Sequence, residues 1–245
     1  MTRKMLSIIA VVINNLEVNK RFVSSIRQYT DCDYELILID NASTDAKAIE
    51  FAKTNADKYL RFDTIASLSK AWNKGIELST GRYVAVVNND IVVTPNWFAP
   101  LKQTLDKNKG VGMVSPMTLW LMKGDFINYL MKRLKSDYSK PYKLRRFKEI
   151  VWGEFMLFNR KPLEQIGGFN EIYERAAGED LEIVFQLFSH GFDIYVDPRV
   201  FIHHEGGRSQ TSDIISKRTR DKYWDKNWKI FASRWSKYSK AWNGK

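Results

Sequence analysis

One cysteine, Cys32, stands in 245 residues, so no disulfide can form within the chain and a reducing compartment is expected. No run of 18 or more apolar residues occurs, so no membrane-spanning helix is expected. The early apolar run from Met5 to Ile13 is too short to span and is broken by Ser7. No small-residue cleavage site follows it closely, so no secretory signal is expected. A glycine-rich loop is also missing, because the residues after that run are Asn14-Asn15-Leu16-Glu17. That argues against a dinucleotide-binding dehydrogenase and against a P-loop enzyme. Internal repeats and low-complexity segments are absent as well.

What is present is a core and a strong positive charge. Hydrophobic residues make up 44% and aromatics 13%, enough for one large α/β domain or two small ones. The net charge of +11 is concentrated in two segments. Residues 131–148 hold eight Lys/Arg and one Asp, and residues 217–245 hold ten Lys/Arg and two Asp; these are +7 and +8, so the rest carries about −4. The positive charge therefore belongs to appendages. An anionic membrane surface or an anionic substrate fits that layout as well as nucleic acid does.

The rest of the chain is organised around Tyr83-Val84-Ala85-Val86-Val87, which stops abruptly on Asn88-Asn89-Asp90. A short, continuous apolar run reads as a buried strand of a parallel sheet. Polar residues at its carboxyl end lie in the crevice where open α/β sheets bind ligands. A carboxylate there can hold a hard divalent cation, and the cation can hold phosphates. An Asx turn that leaves the strand is the alternative.

Two further strands end in the same way. Leu6 to Ile13 ends at Asn14, and Tyr34 to Ile39 ends in Asp40-Asn41-Ala42-Ser43-Thr44-Asp45. Ser43 or Thr44 is placed to cap a helix over Ala46 to Asn55. Helices are also predicted over Lys20 to Tyr29, over Ser69 to Leu78 and from Pro95 to about Asn108, with short strands at Leu60 to Phe62 and Val111 to Ser115. Leu119 to Lys148 reads as helical fragments with a break near Pro141, and Val151 to Asn159 as a strand. A short helix follows over Pro162 to Ile166, then an amphipathic one from Gly178 to Gly191, then strands at Asp193 to Val196 and Arg199 to Ile202. This rhythm predicts a parallel sheet with helices on both faces. The carboxyl ends of parallel strands share one edge, so Asn14, Asp40 to Asp45 and Asn88 to Asp90 can converge on one ligand.

Near the end, Trp224, Trp228, Phe231, Trp235, Tyr238 and Trp242 recur at spacings of four and three. They form an aromatic stripe on one helix face, with Lys and Arg opposite. Packing on the protein's own domain or on a partner is one reading, and an interfacial membrane anchor is the other.

Seven motifs in order carry a resemblance. They are Ser7 to Asn14, Leu38 to Asp45, Ala71-Trp72-Asn73-Lys74-Gly75, Asn88-Asn89-Asp90, Gly167-Gly168-Phe169-Asn170-Glu171, Gly178-Glu179-Asp180 and His204-Glu205-Gly206-Gly207. Across roughly residues 5–210 the chain resembles the inverting family 2 glycosyltransferases of GT-A fold, with a rhamnosyltransferase-like subgroup open. Three departures stand out. Ile13 replaces the usual aromatic before Asn14, Ile65-Ala66-Ser67 stands where many relatives have Asn-x-Gly, and Asn88 replaces the first acid of Asp-x-Asp.

The resemblance implies an α/β GT-A fold: a Rossmann-like, mostly parallel central sheet flanked by helices, with a C-terminal helical tail. Residues 1–210 would form the transferase domain, with a nucleotide-sugar half at 5–115 and an acceptor and catalytic half at 150–210. Residues 211–245 would form the basic tail. It implies sugar transfer from a nucleoside-diphosphate sugar to a glycan or lipid-linked glycan in cell-surface polysaccharide synthesis. Donor contacts would come from Ile13, Asn14, Asp40, Ser43, Asn73, Asn88 and Asn89, with Asp40 on the base. Asp90 would hold Mn²⁺ or Mg²⁺, with His204 as second ligand and His203 as its rival. Asp180 would be the base, with Glu179 as alternate. Trp152 and Glu154 would line the acceptor side. A UDP-sugar is the default donor and a dTDP-sugar the rival. The location would be cytoplasmic, with peripheral contact at the membrane face open, and a homodimer is open too. A nucleotidyltransferase and a non-catalytic nucleic-acid binder remain as alternatives; the first would want a glycine-rich, Lys/Arg-bearing loop after the first strand.

Overall fold

The computed structural model describes residues 4–120, 139–205 and 217–239. The strands are β1 (Leu6–Val12), β2 (Tyr34–Asp40), β3 (Lys58–Arg61), β4 (Tyr83–Asn88), β5 (Ile91–Val93), β6 (Val111–Trp120), β7 (Tyr142–Lys143), β8 (Phe155–Asn159) and β9 (Asp193–His204). The helices are α1 (Leu16–Tyr29), α2 (Ala46–Asn55), α3 (Leu68–Leu78), α4 (Phe98–Lys107), α5 (Arg160–Gln165), α6 (Glu179–Ser189), α7 (Lys217–Arg234) and α8 (Ser236–Ser239).

Together the strands make one sheet in the order β3-β2-β1-β4-β8-β6-β9-β5, with β7 beside β9. The first four in that order are parallel, as the strand–helix rhythm predicts. Beyond β4 the sheet becomes mixed. β8 runs antiparallel to both β4 and β6, β6 is parallel to β9, and β5 and β7 are antiparallel to β9.

Side chains alternate between the two faces of a strand, and each face has its own core. On one, Ile9, Ile37, Ile39, Val84 and Val86 pack with Trp72, Leu181, Val184 and Phe185. On the other, Leu6, Ile8, Ala10, Leu36, Leu38, Ala85 and Val87 pack with Phe22, Ile26, Trp97 and Leu101.

Several expectations are corrected. Leu119 and Trp120 end β6 rather than opening a helix, and Tyr142–Lys143 is a strand; residues 121–138 lie outside the described residues. The α2 cap is Asp45, whose carboxylate accepts from the Lys47 amide, because Ser43 is engaged elsewhere. Of Val151 to Asn159 only Phe155–Asn159 is strand. The two short strands after Gly191 are one strand, β9, with a register break between Asp197 and Phe201 opposite Pro116 and Met117.

One glycine decides how closely β1 and β4 approach at their amino ends. A Cβ on Gly81 would lie 2.4 Å from the Ser7 backbone nitrogen and 2.7 Å from the Leu6 carbonyl carbon, neither of which can swing aside. Gly81→Ala is therefore expected to cost about 1–3 kcal/mol through overpacking, read as a lower urea midpoint with unchanged slope.

The aromatic stripe divides. Phe231, Trp235 and Tyr238 pack toward α6: Phe185 meets Phe231 at 5.0 Å and Trp235 at 5.4 Å between ring centroids, and Phe147 stacks on Tyr238 at 3.7 Å. Trp224 and Trp228 stay open, 50% and 42% exposed, and Trp242 lies outside the described residues. Among the described residues no helix is long and apolar enough to cross a membrane.

Candidate active site

The carboxyl ends of β1, β2 and β4 lie side by side, with Val12 opposite Asp40 and Val11 opposite Asn88. Asn14 and Asn15 both take left-handed backbone conformations, which carries the chain sharply off β1. The Asn14 carboxamide oxygen accepts from the Thr44 and Asp45 amides at 2.7 and 2.8 Å, and the Asn14 amide donates to Ser43 Oγ at 2.7 Å. Asp40 is fully buried, and both its oxygens are engaged, by the Ser43 amide and by the Tyr59 hydroxyl, each at 2.8 Å. Asn14, Asp40 and Ser43 thus come together as a frame whose polar groups bond to one another. Ile13 sits half-buried beside it. Arg61 was not picked out from the sequence. It ends β3, donates to the Ser43 carbonyl at 2.8 Å and stands 3.7 Å from Asp40, leaving a cation at this rim.

Two of the amides proposed from the motifs face inward. Asn73 pairs with the Phe169 amide and carbonyl at 2.9 and 2.8 Å and with Glu171 at 2.8 Å, so it ties α3 to the Gly-Gly-Phe-Asn-Glu segment. Asn89 is 3% exposed and donates to Asn19 of α1 at 2.8 Å. Asn88 is half-buried at the rim.

Asp90 and His204 meet. Ile91 sits opposite His204 in the β5–β9 pair, and the Glu205 amide donates to the Asp90 carbonyl at 2.9 Å. This register sets His204 Nε2 3.0 Å from Asp90 Oδ1, with both residues buried, while the alternation of β9 leaves His203 exposed. Arg21 grips Glu205 with two hydrogen bonds, at 2.8 and 2.6 Å, and fixes the end of β9. Burial alone would lower the His204 pKa, but the Asp90 carboxylate bonded to it, with Glu154 beyond, raises it.

From here a chain of contacts leads to the start of α6. The Asn88 amide donates to the Glu154 carbonyl at 3.0 Å, and the Gly153 amide donates to Asp180 Oδ2 at 3.2 Å. Gly153 is needed for this approach, since a Cβ there would lie 3.0 Å from Asp180 Cβ and 3.4 Å from Trp72. Burial raises the Glu154 pKa, with the Thr118 hydroxyl opposing. Asp180 is pushed up to about 6 by lost hydration, with the Leu181 amide opposing and the Glu154 charge adding. Glu179 is buried and held well above the usual carboxylate range, by burial first and then by the charge of Asp180. Both carboxyls of this adjacent pair are thus pushed upward. Trp152, next in the chain to Gly153, is 40% exposed.

Among the described residues, Ser69 Oγ, Trp72 Nε1, Arg175 Nη1 and Glu179 Oε2 are buried without a hydrogen-bond partner. Buried polar groups are nearly always paired, so each of these atoms, on α3 or in residues 175–179, can take a further partner.

The donor set at Asp90 and His204 suits a divalent ion. Two ligands at right angles about an ion with bonds of ~2.1 Å lie ~3 Å apart, as these two atoms do. Among the described residues no group of three or more His, Cys, Asp or Glu side chains could hold a metal by itself.

A family model described as glycosyl transferase family 2 matches residues 7–167. An uncharacterized glycosyltransferase of Escherichia coli K12, YibD, is 35% identical over 100 residues, covering 39% of this chain and 29% of that protein. A crystal structure of GalNAc-T7 with UDP, GalNAc and Mn²⁺ superposes with a TM-score of 0.69 at 20% identity, over 83% of this chain and 44% of that one. The mannosyltransferase PcManGT from Pyrobaculum calidifontis, in complex with GDP-Man and Mn²⁺, gives 0.60 at 20% identity, over 83% and 57%. These likenesses show the fold, a mixed sheet flanked by helices of the GT-A kind. The chain spans about three tenths of the length of the curated relatives it matches.

Proposed function

The chain belongs to glycosyl transferase family 2, and on that premise we propose that it transfers a sugar, with inversion, from a nucleoside-diphosphate sugar to an acceptor hydroxyl. The observation that carries this reading is the contact of Asp90 with His204 and its continuation through Asn88, Glu154 and Gly153 to Asp180. That continuity supports a two-ligand cation site and a base acting on one bound donor.

In this reading Asp90 and His204 hold Mn²⁺ or Mg²⁺, whose contribution when bound is to offset charge on the departing diphosphate. Asp180 accepts the proton of the acceptor hydroxyl at a carboxylate oxygen, while its other contacts, the Gly153 and Leu181 amides, keep it aimed. The Asn14–Asp40–Ser43 frame shapes the pocket for the base, with Ile13 and Asn88 on its rim. Trp152 and Glu154 line the acceptor side. The halves at 5–115 and 150–210 divide donor from acceptor. The donor is a UDP- or dTDP-sugar, and the acceptor is a glycan or lipid-linked glycan of a surface polymer. The exposed Trp224 and Trp228, on a helix rich in Lys and Arg, suit peripheral contact with an anionic membrane.

Nucleoside diphosphates combined with Mn²⁺ should raise the melting temperature, and neither should do so to the same extent alone. If no UDP, dTDP or GDP mixture with Mn²⁺ moves it, this reading fails.

Asp180 also sets the pH dependence. It works ionised, so transfer should rise through about pH 6 and level off above it. At one unit below that value the rate should be about a tenth of the plateau, since each unit is a factor of ten in the ionised fraction. A flat profile from pH 5 to 8 would remove Asp180 from the proton transfer.

A further inference from the structure

The segment that leads into Asp180 is strained. Arg175 and Ala177 have φ of 60° and 84° without being glycine. Gly178 follows at 98°, and a Cβ there would lie 2.8 Å from the Tyr173 ring. Such backbone persists only where its surroundings over-determine it. Here the surroundings come from far along the chain.

Asn227, near the middle of α7, is fully buried. Its carboxamide oxygen accepts from the Glu174 amide at 3.2 Å, and its nitrogen donates to the Glu174 and Ala176 carbonyls at 2.8 and 3.1 Å. The side chain stands in for a neighbouring strand and engages both its donors. Lys226 pairs with the Glu174 carboxylate. On the other side, the Leu68 amide of α3 donates to the Arg175 carbonyl at 2.6 Å. The strained residues are thus held between α3 and α7.

A second tie lies two turns on. Glu182, two residues past Asp180, is fully buried and accepts from Arg234 Nε at 3.0 Å and from Trp235 Nε1 at 2.6 Å. The Tyr173 hydroxyl and Asn170 add bonds at 2.7 and 3.3 Å. Both ties join the α7–α8 segment to residues on either side of Asp180, and neither touches the nucleotide rim.

We infer that Asn227 of α7 is a positioning residue that holds residues 174–178 and, through them, the first turn of α6 that carries Asp180. This rests on the reading of Asp180 as the base. Without the amide of Asn227, two carbonyls and one amide lose their partners in a part-buried place. The strained residues then relax, and Asp180 drifts from the Gly153 amide.

The test compares Asn227→Ala and the near-isosteric Asn227→Asp, which keeps the acceptor and loses both donors, with Phe231→Leu, which loosens α7 without touching those bonds. Amide hydrogen exchange at residues 175–178 should quicken at least tenfold in both Asn227 variants, with β1 and β4 unchanged. Sugar transfer should fall about tenfold while the affinity for UDP with Mn²⁺ stays within twofold. Phe231→Leu should lower the melting temperature and leave exchange at 175–178 and transfer near wild type. Wild-type exchange at 175–178 in the Asn227 variants would overturn the inference, as would equal losses in Phe231→Leu. The exchange comparison needs no substrate, so it can fail while the transferase reading stands, and the reverse.

Discussion

Asp180→Asn should lower sugar transfer by about 10³-fold, within the 10²- to 10⁴-fold range of a positioned base, and leave the affinity for UDP with Mn²⁺ within twofold. The substitution keeps size and shape. Its carboxamide oxygen can still accept from the Gly153 or Leu181 amide, the two bonds that hold the carboxylate now. What it loses is the capacity to take a proton. Because Asp180 belongs to α6, whereas Asp90 lies in the turn before β5 and His204 ends β9, the donor side should not register the change. Steady-state rates together with calorimetric titration of UDP separate the two effects. Transfer within tenfold of wild type would mean that another group takes the proton, and Glu179 and Glu154 would be the ones to examine.

Removal of the divalent ion should have an effect at least as large. Excess chelator should reduce transfer by about 10³-fold or more, and Mn²⁺ should restore it. Asp90→Ala should do the same irreversibly and weaken UDP binding as well. The physical reason is the leaving group. A departing diphosphate gains charge in the transition state, and a buried cation is a large offset for it. Asp90 and His204 are 2% and 7% exposed, so their interaction with an ion would be little screened by solvent. Full activity in chelator would mean that the 3.0 Å contact between them is a structural hydrogen bond only.

The first half of the fold was legible because its signals are local. Each of β1, β2 and β4 is an apolar run that stops on Asn or Asp, and Asp45 and Ser67 cap α2 and α3. The insertion of β8 between β4 and β6 was not, since a non-local antiparallel pairing leaves no mark in the period of either strand. Lys143 pairs with Tyr195, more than fifty positions away, and the basic residues around it hid that short strand. At the site, motif order brought out Asp90, His204 and Asp180 as candidates; the Asn88 amide bonds the Glu154 carbonyl, and the Gly153 amide bonds the Asp180 carboxylate. What the order could not give was direction. Asn89 turns inward to Asn19, Asn73 holds Phe169, and Asp40 spends both oxygens inside the frame. The aromatic spacing announced a stripe but not its division into a packed half and an open half. Asn227, in a segment that reads as basic and amphipathic, carried no signal at all.

Anomalous diffraction at the manganese edge, from crystals grown with Mn²⁺ and UDP, tests the central claim most directly. The account predicts a peak between Asp90 and His204, within about 2.3 Å of each, with the diphosphate on it and Asp180 facing the same hollow. A peak elsewhere, with those two side chains still bonded to each other, would contradict it.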